Sequence, residues 1–135
     1  MIVPTIHFQG GCDEAISFYK EALNAEVKVI NYAKNAPPNS GMEGLPPNFV
    51  MHSEIQMFGG TVSMTDGAET SAKNENFNFT LFIDTAEEVT SLFNKLSDGG
   101  KIIEPLAPQF WTPLWGYVTD RFGVNWSICV VENSK

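Results

Sequence analysis

The stretch Phe77-Asn78-Phe79-Thr80-Leu81-Phe82-Ile83-Asp84-Thr85-Ala86-Glu87-Glu88-Val89-Thr90-Ser91-Leu92-Phe93-Asn94-Lys95-Leu96 changes its hydrophobic period once, and that change decides the fold. Phe77, Phe79, Leu81 and Ile83 alternate, which is the spacing of a strand with one buried face. Thr85 then opens a helix carrying Val89, Leu92, Phe93 and Leu96 on one side, and Thr85-x-x-Glu88 has the spacing of a capping box. A strand that runs straight into an amphipathic helix is half of a supersecondary unit.

The chain contains this unit twice, and a duplication constrains architecture more than any propensity count. Ile2 to Phe8 reads as a short apolar strand and Gly10-Gly11 as a turn, after which Ala15, Ile16, Phe18, Tyr19, Ala22 and Leu23 recur at helical spacing. With an offset of 74, Gly11 falls on Thr85, Glu14 on Glu88, and Phe18-Tyr19 on Leu92-Phe93. Each helix is followed by a strand (26–32 and 101–104), an irregular Pro-rich connection and a hairpin about a Gly turn. The hairpins pair 49–57 with 61–65 across Gly59-Gly60, and 114–120 with 124–131 across Phe122-Gly123. The fold class expected is therefore α+β, with two βαβββ modules in one domain over 1–135, the first about 1–66 and the second about 77–132. The sheets are expected to form a concave, partly closed surface with the helices outside. The segment Lys34 to Asn48, with four of the eight Pro, reads as a lid-like loop, and Gly67 to Asn76 as a mobile one.

Composition narrows the function. The 135 residues are 43% hydrophobic and 18% charged, with ten Phe and three Trp, which is a packed core and not a disordered chain. Sixteen acidic against eight basic residues give a net charge of -8, and Arg121 is the sole arginine, so neither nucleic acid nor an anionic membrane face is an expected partner. Cys12 and Cys129 stand near opposite ends and read as free thiols; with no basic leader and no long apolar run, the expected location is the cytoplasm.

The duplicated pattern resembles the vicinal oxygen chelate (VOC) superfamily, the glyoxalase, bleomycin-resistance and dioxygenase group. Several phrases are similar to its PhnB-like branch: Ala15-x-x-Phe18-Tyr19-Lys20, Met51-His52-Ser53-Glu54, Gly99-Gly100-Lys101, Phe110-Trp111, and Gly116-Tyr117-Val118-Thr119-Asp120-Arg121-Phe122-Gly123-Val124-x-Trp126. Metal-dependent members of the superfamily hold one divalent ion with His, Gln or Glu on four strands. Here those positions fall near Pro4, on Glu54, on Asn78 and on Ser127, and one competent ligand of four does not hold a divalent cation against water. No cofactor is expected on that count. A register slip of one would bring His7, His52 and Glu54 into a rearranged metal set, which is the alternative reading. The resemblance also implies a homodimer.

His52 and Glu54, two apart on one strand, could act as acid and base, hold a polar ligand, or form a satisfied pair in a cavity wall. His7 reads as structural. Trp111, Trp115 and Tyr117 could line an apolar ligand pocket or serve as core or dimer contacts, and are favoured over Trp126 for the cavity. Asp120 is expected to accept turn N–H groups, with Arg121 clamping it in an ion pair. Cys12, at a helix start but beside Asp13 and Glu14, is expected to be inert, and Cys129 to be core. The PhnB-like branch is associated with phosphonates and with a ubiquinone methyltransferase. One arginine suits a dianion poorly, and Gly10-Gly11 lacks the pattern of a nucleotide loop. The function expected is small-molecule binding without a tightly bound catalytic metal; the alternative is a metal-dependent glyoxalase- or dioxygenase-type enzyme.

Overall fold

A computed structural model of the chain describes residues 1–67 and 76–131. The chain divides into two compact units, Met1–Ala72 and Lys73–Lys135. The first contains β1 (Thr5–Phe8), α1 (Cys12–Leu23), β2 (Glu26–Tyr32), a short 3-10 turn (Ala33–Asn35), β3 (Val50–Met57) and β4 (Gly60–Asp66). The second contains β5 (Phe79–Ile83), α2 (Ala86–Ser97), β6 (Lys101–Gln109), β7 (Thr112–Thr119) and β8 (Asn125–Val130). Each unit is thus a βαβββ module, and the α+β class expected from the sequence is the one observed.

Both sheets have four strands in the same order, β1-β4-β3-β2 and β5-β8-β7-β6. In each, the outer strand before the helix pairs parallel with the last strand, and the remaining pairs are antiparallel. In the first unit α1 buries Cys12, Ala15, Ile16, Tyr19 and Leu23 against one sheet face. In the second, α2 buries Val89, Leu92, Phe93 and Leu96. On that side Gly116 is required, because a Cβ there would stand 2.5 Å from Phe93 Cε1. Trp126, 1% exposed, packs against Phe79 with ring centroids 5.2 Å apart, so it is core, as the alternation implied.

The helix starts differ. Thr85 Oγ1 accepts the Glu88 N–H at 3.1 Å, the hydroxyl half of the expected capping box. Gly11 precedes α1 with φ 82 and offers no capping side chain; the Cys12 N–H at the helix start is taken by the Asp66 carboxylate. Three residues join β1 to α1 and two join β5 to α2. The offset of 74 therefore holds for the helices, Cys12 on Ala86, whereas Phe8 corresponds to Ile83 at an offset of 75.

Two expected boundaries are corrected. The strand expected over 101–104 continues to Gln109 through Pro105 and Pro108. A proline removes a ladder donor, but β6 is the outer strand and its register shifts three times, so the missing N–H groups cost no pairing. In place of a Pro-rich connection, Phe110-Trp111 forms a tight turn into β7, which begins at Thr112 and not at Leu114. The loop expected over 67–76 lies almost wholly outside the described residues. Among the described residues no helix is long and apolar enough to cross a membrane.

Candidate functional site

Each module turns one sheet face away from its helix, and the predicted site residues stand there. On β3, Ser53, Ile55 and Met57 are buried, so His52, Glu54 and Gln56 point the other way. His52 Nε2 and Glu54 Oε2 are 3.2 Å apart, with both side chains nearly half exposed at 47% and 46%. The two can share a proton or jointly hold a polar group, and solvent reaches both.

His7 shares that face by register: it pairs with Thr65, while Thr5 pairs with Ser63 and Ser63 with Glu54. It is nonetheless two strands from Glu54, roughly 10 Å at the usual strand spacing, and Thr65 Oγ1 lies 3.0 Å from its Nδ1. The structure brings His52 and Glu54 together and leaves His7 with Thr65. Among the described residues no group of three or more His, Cys, Asp or Glu is gathered as metal ligands would be.

In the second module Trp115 and Tyr117 lie on the face opposite Gly116 and Val118, and Trp111 leans onto them from the turn. Ring centroids are 5.9 Å apart for Trp111 and Trp115 and 6.5 Å for Trp115 and Tyr117. The three aromatics predicted from sequence thus form one row, with Trp111 exposed and the other two part-buried. Trp115 donates its indole N–H to Ser127 Oγ at 2.8 Å, which orients the ring and leaves its face as the contact surface. Cys129 pairs with Trp115 and is buried, consistent with core; burial raises its thiol pKa.

Other residues resolve into structure. Asp120 Oδ1 accepts the N–H groups of Phe122 and Val124, and Oδ2 accepts the indole N–H of Trp126 at 2.8 Å. Arg121 pairs with Asp98: its guanidinium donates to the Asp98 carbonyl at 3.1 and 2.9 Å and to its carboxylate at 3.2 Å. This ties the end of α2 to the β7–β8 turn, where a cation also favours the helix dipole. Cys12 is fully buried, and its thiol is pushed up to about 12 by burial and by the carboxylates of Asp66 and Asp13.

Sequence reasoning missed Asp66 and Glu104. Asp66 is buried at the end of β4, where its carboxylate accepts Cys12 N–H at 3.1 Å and Val50 N–H at 2.9 Å. Nothing local in the sequence told of two distant backbone donors. Glu104 stands opposite Tyr117 in the β6–β7 register, because the register shifts by one residue between Ile102 and Glu104. The segment expected to act as a lid has its neck closed by Ala33 N–H donating to Phe49 O at 2.8 Å. It encloses an open cleft of about 360 Å3, walled mainly by Ala33, Pro37, Pro38, Met42, Leu45 and Pro47.

Residues 1–129 match the protein family described as 3-demethylubiquinone-9 3-methyltransferase. The chain belongs to this family. It is 34% identical over 142 residues to Protein YjdN of Escherichia coli (strain K12), covering 96% of this chain and 94% of YjdN. Among solved structures, protein PA1353 from Pseudomonas aeruginosa is 27% identical with a TM-score of 0.85 over 98% of each chain. A PhnB protein from Bacillus cereus is 22% identical with a TM-score of 0.81, over 96% of this chain and 98% of its own. A glyoxalase-related enzyme from Fulvimarina pelagi, 19% identical with a TM-score of 0.66 over 96% and 86%, shares the fold. The PhnB protein and the glyoxalase-related enzyme thus share the fold that the sequence motifs led us to expect.

Proposed function

We propose that this member of the family binds a small, partly aromatic or apolar molecule and holds no tightly bound catalytic metal. The observation that carries the reading is the row Trp111, Trp115 and Tyr117 on a sheet face turned away from the helix, with the Trp115 indole N–H already spent on Ser127. Three neighbouring aromatic rings, two tilted by 30° and the third edge-on at 64°, offer apolar area to a flat or apolar ligand.

The donor set supports the second half of the proposal. At the four positions where the superfamily places its ligands, Pro4 has no side-chain donor, and the Ser127 hydroxyl already accepts the Trp115 N–H. Asn78 donates its amide to Thr80 Oγ1 at 3.1 Å and retains a weak neutral oxygen. Glu54 alone is an anionic ligand. Methyl transfer, the activity in the family's description, has little support from these residues. The α1 amide after Gly10-Gly11 is taken by the chain's own Asp66 carboxylate, and the turn lacks the glycine spacing of a nucleotide-binding loop.

The half-exposed His52–Glu54 pair favours one second reading, a metal-dependent enzyme with His7 as a further ligand. Native mass spectrometry of gently purified protein, paired with elemental analysis, separates the two. A dimer with a retained organic ligand and no stoichiometric metal supports the proposal. One divalent ion per chain, lost in His52→Ala or Glu54→Ala, overturns it. We place the protein in the cytoplasm, where two buried free thiols stay reduced.

A further inference from the structure

The aromatic row has a charged neighbour that gives its ligand a sign. Glu104 is exposed, faces the same side as its strand partner Tyr117, and has no ion-pair partner among the described residues. Ala107, the partner of Trp115, adds no bulk beside that ring. The basic residue on this face among the described residues is Lys101, opposite Thr119, two pairs beyond Tyr117 and at the far end of β7 from Trp111. Arg121 is engaged with Asp98. The chain as a whole carries -8, so its field attracts cations and repels anions.

We propose that this face takes organic cations, with a flat or N-methylated ammonium head lying on Trp111, Trp115 and Tyr117 and Glu104 as its counter-charge. The inference rests on the ligand-binding reading above and adds the charge of the ligand. An ammonium gains from the negative ring faces and from the carboxylate at once, whereas a neutral ligand of the same shape gains only contact area. An anion would meet Glu104 and the net charge unfavourably.

The test uses the full chain at low salt and reads tryptophan fluorescence during titration with phenyltrimethylammonium, its neutral shape match tert-butylbenzene, and benzenesulfonate. The expected result is saturable quenching by the cation, about tenfold tighter than by the neutral compound. Glu104→Gln should weaken the cation about fivefold and leave the neutral compound unchanged. Trp111→Ala should weaken both. Both positions are exposed, and near-ultraviolet circular dichroism confirms that each variant is folded. Equal binding of the neutral compound, preference for benzenesulfonate, or indifference to Glu104→Gln overturns the cation assignment while leaving ligand binding in place. Absence of saturable quenching by all three compounds removes both readings.

Discussion

Module one turns His7, Thr65, His52, Glu54 and Asn31 away from its helix, whereas module two turns Trp111, Trp115, Tyr117 and Ser127 away from its own, although the strand order is the same. Their helix-facing sides are alike: Ile55, Val62 and Met64 in one, Leu81, Val118 and Ile128 in the other, all buried. A duplicated unit keeps the side that packs, because each lost methylene there costs stability, and is free to diverge on the side that does not. The connections diverge in the same way. Antiparallel neighbours β2 and β3 are joined by the long segment around 33–49, while β6 and β7 are joined by Phe110-Trp111 alone.

The largest effect is expected where module two is most committed to its core. Trp126→Ala removes a fully buried ring and its indole donor to Asp120, and should cost about 3–5 kcal/mol in a denaturant titration. Next is Asp66→Ala in module one, which strands the buried N–H groups of Cys12 and Val50 and should cost about 2 kcal/mol. If Asp66→Ala costs as much as Trp126→Ala, the polar clasp and the aromatic core are equivalent devices. A cost near zero would mean that water replaces the carboxylate.

A smaller effect is expected from making the modules alike. Replacing 36–47 with Asn-Gly would join β2 and β3 by a short turn, as β6 and β7 already are. Loop closure depends weakly on length, so stability should change by about 1 kcal/mol or less. Retention of a cation on the Trp111–Trp115–Tyr117 row should be unaffected. Loss of folding would show that the segment is structural, and loss of binding would show that it reaches the ligand.

The architecture was legible because helix and strand periods are local: Val89, Leu92, Phe93 and Leu96 announce α2 regardless of what they touch. The aromatic row was legible for the same reason, since Trp115 and Tyr117 alternate on one strand and Trp111 is close in sequence. What was not legible depends on register between distant strands. A bulge in β6 places Glu104 beside Tyr117, and the connection before α1, one residue longer than that before α2, moves the strand offset from 74 to 75. The Arg121 partner was missed because Asp98 lies 23 residues away.

The smallest effect is a titration, and it probes the base of the long loop. Tyr32, the last residue of β2, donates its hydroxyl to Asp13 Oδ1 at 2.6 Å, with the Lys34 ammonium 5.2 Å from its ring. The hydrogen bond to Asp13, helped by burial and the nearby charge, raises the phenol from its ordinary 10 to about 12. A raised value means that folding favours the protonated phenol, so its contribution is fully present below pH 10 and is lost as the pH climbs through about 12. Cys12 acts in the same sense from 9 to about 12, so module one should weaken in alkali over that window. In Asp13→Asn the phenol should titrate closer to 10, read as phenolate ultraviolet absorbance, and the part of the alkaline loss due to Tyr32 should vanish. An unchanged titration in Asp13→Asn would mean that the Tyr32–Asp13 bond does not anchor the loop to α1, and that the base of the long connection is held by other bonds, among them Ala33–Phe49 and Asp66–Val50.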